Sequence, residues 1–125
     1  GIPVEKYGVS QSLHKWRPPG VSHGETVVGI VGRLTPWKGQ DLFLEIASSW
    51  LEHNQRTHFA VIGGAFNEDQ SYEQRLRSIA DGRCRPGHVH FVPFQTALSP
   101  LLGGLDVLMH CSTRPEPFGR VIIEA

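Results

Sequence analysis

Two carboxylates and a proline-led apolar run lie together in the last twelve residues of the sequence. Glu116 precedes Pro117, and a proline fits the first turn of a helix because its missing N–H would have no intrahelical partner there. The sequence therefore predicts a helix that begins at Pro117 or Phe118, with backbone N–H groups at Phe118 and Gly119 that suit an anion such as a phosphate. Glu124 follows about two turns later. The carboxylates of Glu116 and Glu124 would then flank one anion site. The simpler alternative is that Glu116 is an acid favoured by the helix dipole and Glu124 an ordinary surface glutamate.

Two cations form the second group of candidate residues. Arg33 and Lys38 follow Gly32 on one short loop. A guanidinium together with an ammonium is a pairing that binds a diphosphate. The alternative is a solvated basic loop. This alternative is less favoured if the fold brings the loop to the same edge of the sheet as the predicted anion-binding helix.

Strands that could position these groups are indicated by apolar runs. Residues 27–31 and 59–62 are nearly continuous apolar runs, each followed by glycine, and 89–92 and 106–111 are candidates for a third and a fourth strand. Such runs are typical of strands that are buried on both faces of a parallel sheet.

Helices are predicted between these strands. Residues 42–51 repeat apolar side chains at helical spacing, with Asp41 as the expected N-cap. A second helix is expected over 71–80, with Ser71 and Gln74 as a capping box and Gly82 as the stop, and a short third helix begins at Ser99. The side chains that we expect to face the core are Leu42, Phe43, Ile46, Ala47, Trp50 and Leu51 in the first helix and Tyr72, Leu76, Ile79 and Ala80 in the second.

The strand–helix alternation predicts an α/β fold, a Rossmann-like doubly wound parallel sheet with right-handed crossovers. Ligands of such sheets bind beyond the carboxyl ends of the strands. That edge would receive Gly32, the glycines 63 and 64, Pro93 and Phe94, and the segment 112–119.

Composition limits the function classes. The 125 residues suit one domain, with residues 1–25 as a lead-in and 26–125 as the folded part. Lysine plus arginine and aspartate plus glutamate each number 12, so the neutral chain gives no reason to expect nucleic-acid binding. The apolar runs are too short to span a bilayer, and the first residues lack a signal-peptide core. We therefore expect a cytoplasmic protein.

The motifs Gly32-Arg33, Lys38-Gly39, Gly63-Gly64 and Glu116-Pro117-Phe118-Gly119 through Glu124, in this order, resemble the donor-binding C-terminal domain of retaining GT-B glycosyltransferases. The similarity is to the glycosyl transferases group 1 family and covers roughly residues 27–125. This resemblance implies a Rossmann-like domain that binds a nucleoside-diphosphate sugar for transfer of the sugar to an acceptor.

Individual roles also come from the resemblance. It implies that Arg33 and Lys38 contact the donor diphosphate and that Glu116 faces the sugar, which makes these three the catalytic candidates. It further implies a donor-binding set in which Glu124 binds the ribose and backbone groups bind sugar, phosphate or base: Gly32, Pro93, Phe94, Phe118, Gly119 and Glu124. No cofactor and no metal are expected, and the sugar should keep its anomeric configuration.

The acceptor-binding N-terminal domain of that family and everything after Ala125 are missing from the sequence. We therefore expect a fragment without turnover of its own and with bare apolar surface that favours self-association. Peripheral attachment of a full-length parent to a membrane stays open.

Two other functions compete with this one. A noncatalytic sugar-nucleotide-binding module would use the same residues without transfer. A dinucleotide-binding Rossmann domain is disfavoured because Gly29 to Arg33 lacks the G-x-G-x-x-G turn. His88 and His90 would share one face of a strand, but no third metal ligand lies nearby in the sequence. Trp37 could cap a loop or touch the ligand, and Trp50 is expected in the core.

Overall fold

The computed structural model describes residues 16–93 and 99–114 of the 125-residue chain. Strands and helices alternate along it, as the sequence predicts. The strands are β1 (Thr26–Val31), β2 (Thr57–Ile62), β3 (Val89–Val92) and β4 (Val107–Leu108), and the α-helices are α1 (Gln40–Leu51), α2 (Gln70–Arg83) and α3 (Ser99–Gly103), with short 3-10 helices at Pro36–Lys38 and Asn67–Asp69.

The four strands form one parallel sheet in the order β3-β2-β1-β4. Val28 of β1 lies between Phe59 of β2 and Val107 of β4. The chain thus builds the sheet outwards from β1 to β3 and then crosses back to the other side of β1. Doubly wound sheets bind ligands in a crevice outside the carboxyl ends of the strands at such a reversal, which here falls between β1 and β4. The predicted fold class is confirmed.

Both faces of the sheet are covered, which explains the nearly continuous apolar strands. On one face, Phe43 of α1 meets Phe59 of β2 edge to face, with ring centroids 5.5 Å apart. On the other face, α3 packs against alternate residues of the same strands. The buried residues of the first layer include Val28, Ile30, Phe43, Leu44, Ala47, Phe59, Val61 and Leu76, and those of the second are Val27, Val31, Ala60, Ile62, Leu101 and Leu102.

The start of α1 differs from the prediction. Asp41 is not the N-cap but lies in the first turn, because the preceding Pro36–Lys38 turn closes on Gly39, which caps the helix. The Gly39 N–H donates to the Pro36 carbonyl at 3.1 Å, and its backbone takes a left-handed φ of +80° that glycine adopts readily. The backbone turn, rather than an acidic side chain, therefore fixes where this helix begins.

The prediction for the second helix is wrong at both ends. Ser71 lies inside α2, so it forms no capping box with Gln74, because the 3-10 turn Asn67–Asp69 runs directly into the helix at Gln70. Gly82 is also helical, and α2 ends at Arg83. Three of the expected core residues of this helix, Tyr72, Leu76 and Ala80, are buried, and Ile79 is partly buried against the same core.

Three of the six α1 residues that the sequence predicts in the core are not there. Phe43, Ala47 and Leu51 are buried as expected, but Leu42, Ile46 and Trp50 are exposed. The apolar positions form two adjacent stripes, and the sheet covers one of them. The Trp50 indole N–H donates to the Thr57 hydroxyl at 2.9 Å, so this side chain bridges helix and strand at the surface rather than filling the core.

Strand β4 is shorter than the predicted 106–111. Its pairing continues through the N–H of Asp106 to the Val27 carbonyl and the N–H of Met109 to the Gly29 carbonyl, both at 2.8 Å. Beyond Met109 the chain leaves β1 and turns to the loop that follows β1. This departure is what brings residues 111–114 to the crevice.

Residues 16–25 contact the sheet domain. The Arg17 guanidinium donates to the carbonyls of Gly104 and Glu25 and to the Asp106 carboxylate at 2.7–3.0 Å. Asp106 also accepts the N–H of Val27 at 2.7 Å. These bonds tie the end of the lead-in to the amino-end edge of the sheet. Among the described residues, no helix is long and apolar enough to cross a membrane.

Candidate functional site

The loops after β1 and β2 touch through their backbones. The Gly32 N–H donates to the Ile62 carbonyl and the Leu34 N–H to the Gly64 carbonyl, both at 3.0 Å. At Gly63 a side chain is excluded, because a Cβ would overlap the Gly32 carbonyl oxygen and lie 2.9 Å from its carbon. The glycines that end the two strands therefore let the loops close on each other and leave bare backbone at the carboxyl edge of the sheet.

Lys38 lies over this bare backbone. A Cβ built on Gly32 would stand 3.5 Å from the Lys38 Cδ and Cε and 3.6 Å from its Nζ. The Nζ also lies 4.8 Å from the centroid of the Trp37 ring. Burial lowers the pKa of Lys38. A partly desolvated cation beside backbone that carries no side chain, at a strand end, is an arrangement that suits a phosphate group.

Arg33 is directed toward the loop after β2. Its Nη2 lies 2.8 Å from the Asp69 carboxylate and 3.1 Å from that of Glu68, and its Cζ lies 4.1 Å from the Phe66 ring centroid. The sequence pattern indicates this cation but not its two acidic partners, which precede α2. The charge of Arg33 is thus largely offset within the protein.

A buried polar network fixes the backbone between the two cations. Gln40 is 1% exposed, and its side-chain amide donates to the Arg33 carbonyl at 2.9 Å. The Tyr72 hydroxyl lies 3.4 Å from the Gln40 amide oxygen and accepts the N–H of Asp41 at 3.1 Å. Burial raises the pKa of Tyr72 to about 12, so it remains a neutral donor. Sequence reasoning missed Gln40; its polar side chain at the start of an apolar helix was the available signal.

The loop after β1 is also bonded to the segment after β4. The N–H and hydroxyl of Thr113 both donate to the Trp37 carbonyl, at 2.8 and 3.2 Å. The Arg114 guanidinium carbon lies 4.3 Å from the Trp37 ring centroid. Gly39 packs directly on the backbone of Cys111. These contacts span the crevice between β1 and β4 and put Lys38 and Arg114 on one aromatic ring.

The structure describes part of the predicted site. It brings Gly32 and Lys38 together, places Arg33 at the same edge with a different orientation, and leaves Pro93 exposed beyond the edge strand β3. The other predicted site residues lie outside the described residues: Phe94, Glu116, Phe118, Gly119 and Glu124. Their roles stay predictions.

A histidine cluster lies at the opposite end of the sheet. His58 of β2 stacks on both His88 and His90, with ring centroids 4.4 and 5.2 Å apart, and its Nε2 lies 3.2 Å from a Glu25 carboxylate oxygen. The sequence shows no third metal ligand close to His88 and His90, but the parallel pairing of β2 with β3 brings the His58 ring beside them. Burial, together with the neighbouring histidines, lowers the pKa of His90 to about 4.

These rings bind protein groups. The Nδ1 of His58 lies 2.9 Å from the Nε2 of His90, and the Nδ1 of His88 lies 2.9 Å from the Thr57 carbonyl. Within residues 16–93 and 99–114, no three side chains of the metal-binding types are arranged to hold an ion. The cluster is thus a hydrogen-bonded structural group at the amino-end edge, on the opposite side of the sheet from Lys38.

Comparison with known proteins gives the family. A family model described as "Glycosyl transferases group 1" matches residues 14–125. No curated protein matches the chain significantly. Among solved structures, HepE of Anabaena, crystallised with UDP and glucose, is 31% identical, with a TM-score of 0.76 over 98% of this chain. The C-terminal domain of a group 1 family glycosyltransferase (LpcC) from Francisella tularensis superposes with a TM-score of 0.78 at 23% identity over 100% of this chain.

The chain corresponds to only part of each of these proteins. The chain spans 30% of the HepE chain and 65% of the Francisella domain structure. The fold that it shares with them is that of a Rossmann-like domain of GT-B glycosyltransferases.

Proposed function

The chain belongs to the glycosyl transferases group 1 family, and we propose that it binds the nucleoside-diphosphate sugar donor of a retaining glycosyltransferase. The observation that carries this proposal is the position of Lys38 over the bare backbone of Gly32, beside the crevice between β1 and β4. HepE of Anabaena, which has been crystallised with UDP and with UDP-glucose, supports it through 30–31% identity and a common fold.

In this proposal Lys38 is the principal ligand of the diphosphate. Arg33 is a second ligand that must exchange its bonds to Asp69 and Glu68 for bonds to phosphate. Glu116 faces the sugar and Glu124 binds the ribose. The remaining donor contacts are assigned to Gly32, Pro93, Phe94, Phe118 and Gly119.

The chemistry asked of these residues is stabilisation of a leaving group. In retaining transfer by front-face attack, the bond between the anomeric carbon and the diphosphate breaks while an acceptor hydroxyl forms a bond on the same face. The acceptor proton passes to the departing phosphate oxygen. Cations fixed near that oxygen stabilise the negative charge that develops there, and they need no metal ion to do so.

The whole reaction requires a second half of the site. The cleft of GT-B enzymes lies between two domains, and this chain corresponds to one of them, so we propose that it binds donor without transferring sugar. A noncatalytic sugar-nucleotide module is the second candidate, because it would show the same binding. A longer chain that contains this domain and transfers sugar would exclude that candidate.

Isothermal titration calorimetry with UDP, GDP, ADP and uridine tests the donor proposal. We expect a nucleoside diphosphate to bind much more tightly than the nucleoside. Lys38→Met should weaken diphosphate binding about 10- to 100-fold, since a charge-assisted hydrogen bond contributes about 1.5 to 3 kcal/mol, and should leave uridine binding unchanged. Arg33→Met should have a smaller effect, because its charge is already offset by Asp69 and Glu68.

The matched control is Arg85→Met, which removes an exposed cation between α2 and β3, at the opposite edge of the sheet. It should leave all affinities unchanged. Equal losses for UDP and uridine in Lys38→Met, or a loss in Arg85→Met as large as in Lys38→Met, would contradict the assignment of the diphosphate site.

A further inference from the structure

We propose that Arg114, held on the Trp37 ring beside Lys38, is a further diphosphate-binding residue of the donor site. This inference rests on the proposed function and adds a cation that neither the motifs nor the comparisons assign. It concerns the segment that follows β4, on the far side of the crevice from the β2 loop.

The position of Arg114 is set by two hydrogen bonds and one ring contact to Trp37. Thr113, its chain neighbour, donates both its N–H and its hydroxyl to the Trp37 carbonyl. The guanidinium itself lies 4.3 Å from the centroid of the same residue's ring. Backbone and side chain are therefore held by a single residue of the loop after β1, although the two loops are far apart in sequence.

The ring holds the guanidinium without neutralising it. Arg33 lies against two carboxylates, which offset its charge, whereas the guanidinium of Arg114 lies against an aromatic face. A ring contact occupies the face of the guanidinium, and the N–H groups project in its plane, so this contact does not use the donors that would bind the oxygens of a phosphate.

Lys38 and Arg114 both contact the Trp37 ring, so the two cations are no farther apart than the sum of their distances to its centroid. The Nζ of Lys38 lies 4.8 Å from the centroid on which Arg114 rests. Two like charges held near each other repel, and an anion that binds near both relieves that repulsion. The pair is thus arranged to favour a polyanion over a neutral ligand.

A purely structural role for Arg114 would give a different result. If the guanidinium only ties the segment after β4 to Trp37, its removal would disturb the site for every ligand alike. A role in diphosphate binding predicts a loss that grows with the charge of the ligand. The comparison of UDP with uridine separates the two.

Calorimetry on the 125-residue chain with UDP and uridine provides the test. We expect Arg114→Met to weaken UDP binding about tenfold and to leave uridine binding unchanged. Arg114→Lys should recover part of the affinity, because it keeps the charge and loses the planar donor set. Arg85→Met, the same change at the opposite edge, should match the unmodified chain.

The dependence on Trp37 is measured by a double-mutant cycle. Trp37→Leu should weaken UDP binding, and adding Arg114→Met should then cost less than it does alone, because the ring that positions the guanidinium is gone. Far-UV circular dichroism shows whether each variant is folded. If Trp37→Leu does not fold, the Arg114 single variants still test the proposal.

The failures are distinguishable. If Lys38→Met weakens UDP binding and Arg114→Met behaves like Arg85→Met, or weakens UDP and uridine equally, the Arg114 assignment is overturned and the proposed function stands. If the unmodified chain does not bind UDP, GDP or ADP, the proposed function falls and the assignment falls with it.

Discussion

Replacing Gly39 by alanine should damage both the fold and the crevice, and the chain contains its own control. Gly39 has a left-handed φ of +80°, and a Cβ there would overlap the Cys111 carbonyl oxygen and lie 2.8 Å from its carbon. Gly87 has the same φ of +80°, but a Cβ there would meet nothing within 4 Å. The two substitutions share the backbone strain and differ in the clash.

The expected magnitudes follow from that difference. Left-handed backbone costs an L-residue about 1 to 2 kcal/mol, and the lower entropy of the unfolded alanine chain offsets about 0.5 to 1 kcal/mol of this. Gly87→Ala should therefore lower the free energy of unfolding by about 1 kcal/mol. Gly39→Ala must also push the segment after β4 away from the loop after β1, and steric overpacking of this kind costs about 1 to 3 kcal/mol more.

Urea unfolding followed by circular dichroism measures both values, and calorimetry with UDP follows the crevice. Gly39→Ala should lower the free energy of unfolding by about 2 to 4 kcal/mol with little change in the slope with urea, and should weaken UDP binding even where the variant is folded. Equal destabilisation by Gly39→Ala and Gly87→Ala would refute the reasoning, because it would mean that the contact with Cys111 does not constrain the fold.

Two further predictions concern surfaces away from the crevice. Acidification from about pH 6.5 to 4 should lower the free energy of unfolding by about 1 to 2 kcal/mol through His90: its lowered pKa means that the unfolded chain binds more protons in this window. His90→Gln should flatten this dependence in urea unfolding, and His53→Gln should not. The exposed apolar stripe of α1, formed by Leu42, Ile46 and Trp50, should cause self-association. In sedimentation, Ile46→Glu should shift the chain to monomer, and the control Ser71→Glu should not. A strictly monomeric unmodified chain would contradict this prediction.

The fold was predictable because the core patterns are local and strong. The strands β1 and β2 are recognisable in the sequence as apolar runs followed by glycine, because both faces of a parallel sheet are buried. Helix caps were not predictable to the same degree. Asp41 and Ser71 are suitable capping residues, but turns of backbone set both helix starts, and the choice between those two solutions depends on how the preceding loop packs. Periodicity alone predicts Trp50 in the core. It cannot show that α1 carries two adjacent apolar stripes and that the sheet covers only one of them.

The site was predictable to the extent that it depends on residue type. The loop after β1 offers a glycine and a lysine at the carboxyl edge, and the structure brings Gly32 and Lys38 together there. The partners of that loop come from distant segments: Asp69 from the β2 loop and Thr113 from beyond β4. Nothing local in the sequence pairs these residues, because the pairing follows from strand order, which places β2 and β4 on opposite sides of β1.

That strand order also explains why two cations of one short loop do not act as a pair in this structure. The Arg33 carbonyl is held by Gln40, and its side chain reaches the acids of the β2 loop, whereas Lys38 follows Trp37, which is bonded to the segment after β4. The loop therefore directs Arg33 to the β2 loop, while Lys38 stays over Gly32 at the end of β1. A diphosphate in the crevice between β1 and β4 would then meet Lys38 with Arg114, a residue distant in sequence, before it could draw Arg33 away from its two carboxylates.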